Sequence, residues 1–258
     1  TGGKDLMGEI VLINCTSELN AMSIGQLKDK IVFVNVPMDP TIVNTSDSYL
    51  LTAKSKLISA SVIAKTGAKA LIIRSLTTAN DDTPHAKMIY YEPDDKVKIP
   101  ALSIGVRSAD ELEKTLKKQK VTAKINMTAE SKGSTTNPNI IAEIQGKKDS
   151  KVIVLGAQLD SWDIGEGAID DGTGVAQCIE VLRTLKALGY ENNHTIRVVL
   201  YANSENGGQG REMYAAYVKK KEEKHVFALG TDAGGYSPRG FSLDMPPQRR
   251  KQIFEWKN

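Results

Sequence analysis

Acidic residues gather at a few points in the second half of this 258-residue chain, each just after a run that reads as a strand. Asp160 and Asp163 follow Val152–Ala157, and Asp170 and Asp171 occupy the loop into a helix. Glu205 follows Thr195–Ala202, and Asp232 follows Val226–Thr231. Any one of them could be a helix cap or a solvated loop residue. Together, three strands deliver carboxylates to one edge of one sheet. Such groups repel unless cations hold them, which points to a divalent metal site. Gly165-Glu-Gly167 ahead of a helix could instead suggest a dinucleotide loop. There the third glycine position falls on Asp170, whose charge would repel a pyrophosphate.

The elements that must position these groups follow from periodicity. Ile140–Gln145, Val152–Ala157, Thr195–Ala202 and Val226–Thr231 read as strands, with helices over Gly174–Leu188 and Gly210–Glu223. Apolar strands alternating with helices imply a largely parallel sheet covered on both faces, which binds ligands where strands end. Earlier in the chain, Glu9–Ile13, Ile31–Val36, Ala68–Ile73, Ile99–Ile104 and Lys120–Thr128 are strand-like. Lys54–Lys65 has helical spacing, and Ser108 with Glu111 forms a capping box for a helix reaching Lys118. The polar, proline-broken stretch Glu130–Asn139 marks a boundary. The expected fold is therefore α/β. A doubly covered, mostly parallel sheet over 131–258, incomplete in this chain, follows a smaller α+β domain over 1–130.

Composition narrows the function. Charged residues make up 25% and hydrophobic ones 40%, the profile of a soluble globular protein. The net charge of +3 comes with lysines spread along the chain, and Lys219–Lys221 sits beside glutamates, so no nucleic-acid footprint is expected. No apolar run reaches the ~18 residues of a membrane span. Cys15 and Cys178 fall in different domains, which argues against a disulfide between them.

Gln158-Leu-Asp160, Asp170-Asp171-Gly172, Ser204-Glu205-Asn206-Gly207 and Thr231-Asp232-Ala233-Gly234 resemble, in order and context, the motifs of the co-catalytic zinc exopeptidases. The chain looks most like the carboxypeptidase Q branch of the aminopeptidase/glutamate carboxypeptidase type. Ala64–Ile73, Asp82-Thr-Pro-His85 and Ile99–Ile104 are similar to the protease-associated domain inserted in that branch.

The resemblance implies two zinc ions and a role for each matched position. Residue 158 would be a histidine ligand oriented by Asp160. Asp170, followed by a cis peptide bond, would bridge the metals. Asp232 would complete the first site, and Glu205 would hold the second with a histidine from a later loop. Residue 204 would be the glutamate base acting on the bridging water. It also implies a secreted or periplasmic protein with a peptide or dipeptide ligand, and a protein partner at the inserted domain.

This chain departs from that pattern at three points. Gln158 is a poorer zinc donor than imidazole. Ser204 cannot act as a base near neutral pH, a loss of ~10²–10⁴ in rate. Of its three histidines, His85 lies in the first domain, while His194 and His225 start strands at the edge opposite the carboxylates. Oxygen donors from Asp170, Asp232 and Gln158, or from Asp170 and Glu205, favour calcium or magnesium, with weak zinc occupancy. The chain also reads as an interior part of a longer protein. The expectation is an exopeptidase-like protein that is inactive or severely impaired. The alternatives are an active di-zinc peptidase in full-length form and a non-catalytic peptide- or protein-binding module.

Overall fold

The computed structural model of the chain describes residues 1–22, 25–54, 59–85, 91–92, 94–130, 132–162, 165–232, 234–237 and 240–255. It divides into two compact units, Thr1–Ser134 and Thr135–Asn258.

In the first unit, strands β1 (Leu6–Ile13), β2 (Ile31–Val34), β3 (Ala70–Arg74), β4 (Ala101–Ile104) and β5 (Thr122–Ile125) form one sheet in the order β4-β3-β2-β1-β5. β1 to β4 run parallel, and β5 pairs antiparallel with β1. Strand β2 is buried along its whole length because side chains of alternate parity feed two cores. Val32 and Val34 join Leu71 and Ile73 beneath α2 (Thr45–Ala53) and α3 (Ala60–Ala64). Ile31 and Phe33 join Ile72 and Ala109 beneath α4 (Val106–Leu116). The sheet is thus mixed, four parallel strands and one antiparallel, with helices on both faces.

Two local expectations change here. The helix expected over Lys54–Lys65 is represented by α3, after α2 has ended at Ala53, and residues 55–58 lie outside the described residues. Ser108 does not cap α4, because the helix begins two residues earlier with Gly105 as N-cap. The capping oxygen comes instead from Asp82, whose Oδ1 accepts from Ser108 N at 2.8 Å. A Cβ on Gly105 would lie 2.2 Å from Asp82 Cα, so only glycine admits this loop. A short helix, α1 (Thr16–Ala21), lies between β1 and β2.

In the second unit, β6 (Ile140–Ile144), β7 (Val152–Gln158), β8 (Thr195–Tyr201) and β9 (His225–Gly230) form a sheet in the order β6-β8-β7-β9. β7, β8 and β9 run parallel, and β6 is antiparallel to β8. The chain steps from β7 to β8 through α5 (Gly172–Ala187), then back across β7 to β9 through α6 (Gln209–Lys220). Since such crossovers are right-handed, opposite steps place their helices on opposite faces. α5 accordingly packs Cys178, Val175 and Leu182 over Ala157, Val198 and Leu200. On the other face, α6 packs Tyr214 and Val218 over Val152, Val154 and Val199. A last helix, α7, spans Pro247–Glu255. The mostly parallel, doubly covered α/β sheet expected from the sequence is present.

Candidate functional site

The reversal of direction around β7 opens a crevice at the carboxyl ends of β7, β8 and β9, where open α/β sheets bind ligands. Gln158 ends β7 opposite Tyr201 at the end of β8. The loops that follow carry Asp160, Ser204 and Glu205, and Asp232 follows β9. Asp170 and Asp171 arrive on the loop into α5, joined by a cis peptide bond. Asp163 and Ala233 lie outside the described residues.

Each carboxylate has a distinct set of partners. Asp160 accepts from the backbone N–H groups of Ser204 at 2.8 Å and Glu205 at 3.1 Å, so both its oxygens brace the β8 loop. Asp171, 2% exposed, accepts from Gln158 N at 2.9 Å and Gly174 N at 3.1 Å. It therefore caps α5 and pins the end of β7. Gly174 is required there, because a Cβ would lie 2.1 Å from Asp171 Oδ1. Asp170 and Glu205 are joined through Gln158, whose Nε2 donates to Asp170 Oδ1 at 3.1 Å and Glu205 Oε1 at 2.9 Å.

The electrostatics follow from this crowding. Partial burial, then the neighbouring Asp232 and Asp160, push the Asp170 carboxyl above its ordinary range. Burial also raises Asp171, against the opposing hydrogen bond from Gln158 N. For Glu205 burial again leads, the Gln158 amide opposes it, and Asp170, Asp160 and Asp232 add to it.

Asp232 lines a cavity of about 300 Å³ together with Gln158, Tyr201, Ser204, Arg211 and Thr231. Sequence reasoning overlooked Arg211 and Tyr201. Arg211 lies in the first turn of α6, where nothing in the local pattern distinguishes it from a solvated residue. Ser204 Oγ is buried without a hydrogen-bond partner.

The histidines of this unit sit at the other end of the sheet. His194 precedes β8 and bonds Asp149 through Nδ1 at 2.7 Å. His225 opens β9 and bonds the Tyr214 hydroxyl through Nε2 at 2.9 Å.

Among the described residues no group of three or more His, Cys, Asp or Glu is placed to hold a metal. Asp160 and Asp171 already spend both oxygens on backbone N–H groups. The Gln158 side chain lies between Asp170 and Glu205. Its nitrogen is turned inward, the orientation that two facing carboxylates demand, since neither can donate to an amide oxygen.

Comparison with known proteins places this geometry. Peptidase family M28 matches residues 139–257, which cover the second sheet and its acidic edge. Carboxypeptidase Q of Xenopus laevis is 32% identical over 254 residues, 98% of this chain and 52% of that protein. Among solved structures, a peptidase M28 precursor from Shewanella amazonensis superposes with a TM-score of 0.81 at 35% identity, over 89% of this chain and 52% of that one. A zinc aminopeptidase from Bacillus subtilis, at TM-score 0.57 and 19% identity over 90% of this chain and 50% of its own, shares the fold. The chain spans about half the length of the relatives it matches. No helix among the described residues is long and apolar enough to cross a membrane. Residues 139–257, with the acidic strand ends, thus match peptidase family M28, and the chain as a whole is similar to carboxypeptidase Q and to the M28 precursor.

Proposed function

We propose that this chain is a non-catalytic member of the family that keeps the peptide-binding crevice and has lost hydrolysis. The observation that carries this reading is the placement of the imidazoles. His194 and His225 lie at the amino ends of β8 and β9, a strand's length from the carboxylates and already bonded to Asp149 and Tyr214. A strand of six or seven residues separates the two edges by about 20 Å. Ser204 occupies the position of the general base with a hydroxyl too weakly basic to take a proton from water. Peptide binding is supported by the lining of the 300 Å³ cavity, where Arg211 and Asp232 both contribute. The terminal carboxylate and ammonium of a short peptide would each meet a group of opposite charge. The first unit is read as protease-associated-like and the protein as secreted, both from the resemblance.

The test is a dipeptide incubated with the chain and added zinc, together with calorimetric titration of the same dipeptide. Binding without hydrolysis is expected, and Arg211→Ala should weaken binding about tenfold, the loss of one charge-assisted contact. Zinc-dependent hydrolysis that a chelator abolishes would overturn the reading. As a positive control, Gln158→His with Ser204→Glu should raise zinc affinity.

A further inference from the structure

A set of neighbouring carboxylates usually needs a cation to remain assembled. At this edge Asp170 and Glu205 meet Gln158 from positions 12 and 47 residues away along the chain, and Asp232 stands beside Asp170. Asp160 and Asp171 are neutralised in hydrogen-bonding terms by backbone N–H groups. For Asp170 and Glu205, the side chain that bridges them is the Gln158 amide. A primary amide has two N–H donors, and here one goes to each carboxylate.

We infer that Gln158 does the work of a cation: its amide, donating to both Asp170 and Glu205, holds the α5 loop and the β8 loop together, so the folded chain needs no metal at this edge. This deepens the non-catalytic reading and rests on it, by naming what replaced the metal as the organiser of the strand ends. The substitution has a chemical logic. Hydrogen bonds to an ionised acceptor are the strong ones, and a neutral donor pair avoids the cost of desolvating an ion. It also makes Gln158 a positioning residue whose value lies in its nitrogen, whereas a metal ligand would act through its oxygen.

The experiment compares thermal unfolding of the unaltered chain, Gln158→Met and Gln158→Glu at low ionic strength. Each is measured with chelator, with millimolar calcium chloride and with zinc chloride. The unaltered chain should melt at the same temperature in all three. Gln158→Met, which keeps the volume and removes both donors, should melt roughly 5 °C lower in chelator and recover in calcium. Gln158→Glu, which adds a further charge, should fall further and recover more. If Gln158→Met fails to fold even with calcium, adding Glu205→Gln decides the matter. That double variant removes the repulsion between the two groups that Gln158 bridges, so it should fold without any ion, and its failure to do so overturns the inference. Stabilisation of the unaltered chain by calcium or zinc overturns it too, as does full stability of either single variant in chelator. Dipeptide hydrolysis, assayed separately, bears on the non-catalytic reading, so the failure of one is distinguishable from failure of the other.

Discussion

Replacing Arg197 with methionine probes how the second sheet carries charge through its apolar face. Arg197 lies on β8 and is 7% exposed. Its Nε donates to Glu143 Oε2 on β6 at 2.6 Å, and its Nη1 donates to Glu223 Oε2 at 2.6 Å and to the Tyr214 hydroxyl at 3.2 Å. Burial by itself favours the neutral guanidine. The hydrogen bonds that Arg197 donates to Glu223, Tyr214 and Glu143 outweigh it and hold the group charged. Methionine retains most of the apolar stem and removes the fork, leaving two carboxylates without a counter-charge. Breaking a buried ion pair from one side costs ~3–5 kcal/mol. The Glu143 and Glu223 side chains are 27% and 21% exposed, so water relieves part of this and the lower figure of about 3 kcal/mol applies. Trp162 and Trp256 both fall within residues 135–258, so tryptophan fluorescence in urea reports on this unit. With a slope of roughly 2 kcal/mol per molar urea, the midpoint should drop by about 1.5 M. Adding Glu143→Gln and Glu223→Gln should recover most of the loss, because no unpaired charge then remains. A drop smaller than about 0.3 M, or no recovery in the triple variant, would mean that Arg197 is not what neutralises Glu143 and Glu223.

Burial, reinforced by Asp171, pushes the Cys178 thiol to about 11, while hydrogen bonding from Ser17 lowers that of exposed Cys15. An aromatic disulfide reagent at pH 8 should therefore titrate one thiol within seconds and the second only in denaturant. Two fast equivalents would contradict the packing beneath α5. Asp149, bonded first to His194 and then to Lys151, is held down at about 2. A depressed carboxyl stabilises the fold above its unfolded value of about 3.9 and loses that contribution as pH falls toward 2. Asp149→Asn should thus be less stable than the unaltered chain at pH 5, with the gap closing between pH 4 and 2. A gap that stays constant over that window would rule the linkage out.

How far the sequence could be read depended on where each partner lies along it. The apolar runs behind β3, β7 and β8 announce themselves, because each strand is buried on one or both faces by residues within the run. The acidic strand ends are legible for the same reason, since parallel strands with short loops bring their carboxyl ends to one edge. Helix α2 was overlooked because its buried face is Ser48, Thr52 and Ala53 while Leu50 and Leu51 point outward, which inverts the expected polarity. The cap of α4 was misassigned because a local Ser-x-x-Glu pattern was available, whereas the oxygen that serves comes from Asp82, 26 residues away. The Gln158 amide is a further case. Which way it turns is decided by two carboxylates contributed by other loops, and no local pattern encodes that choice.

The bracing of the β8 loop by Asp160 has an evolutionary consequence. Both oxygens of that carboxylate hold main-chain amides, at Ser204 and at Glu205, and neither touches the side chain at 204. The two contacts that Asp160 makes with the loop therefore do not depend on the side chain at 204. A reactive group mounted on such a frame can be exchanged for serine while the frame stands, so chemistry and architecture are free to part company in a single step.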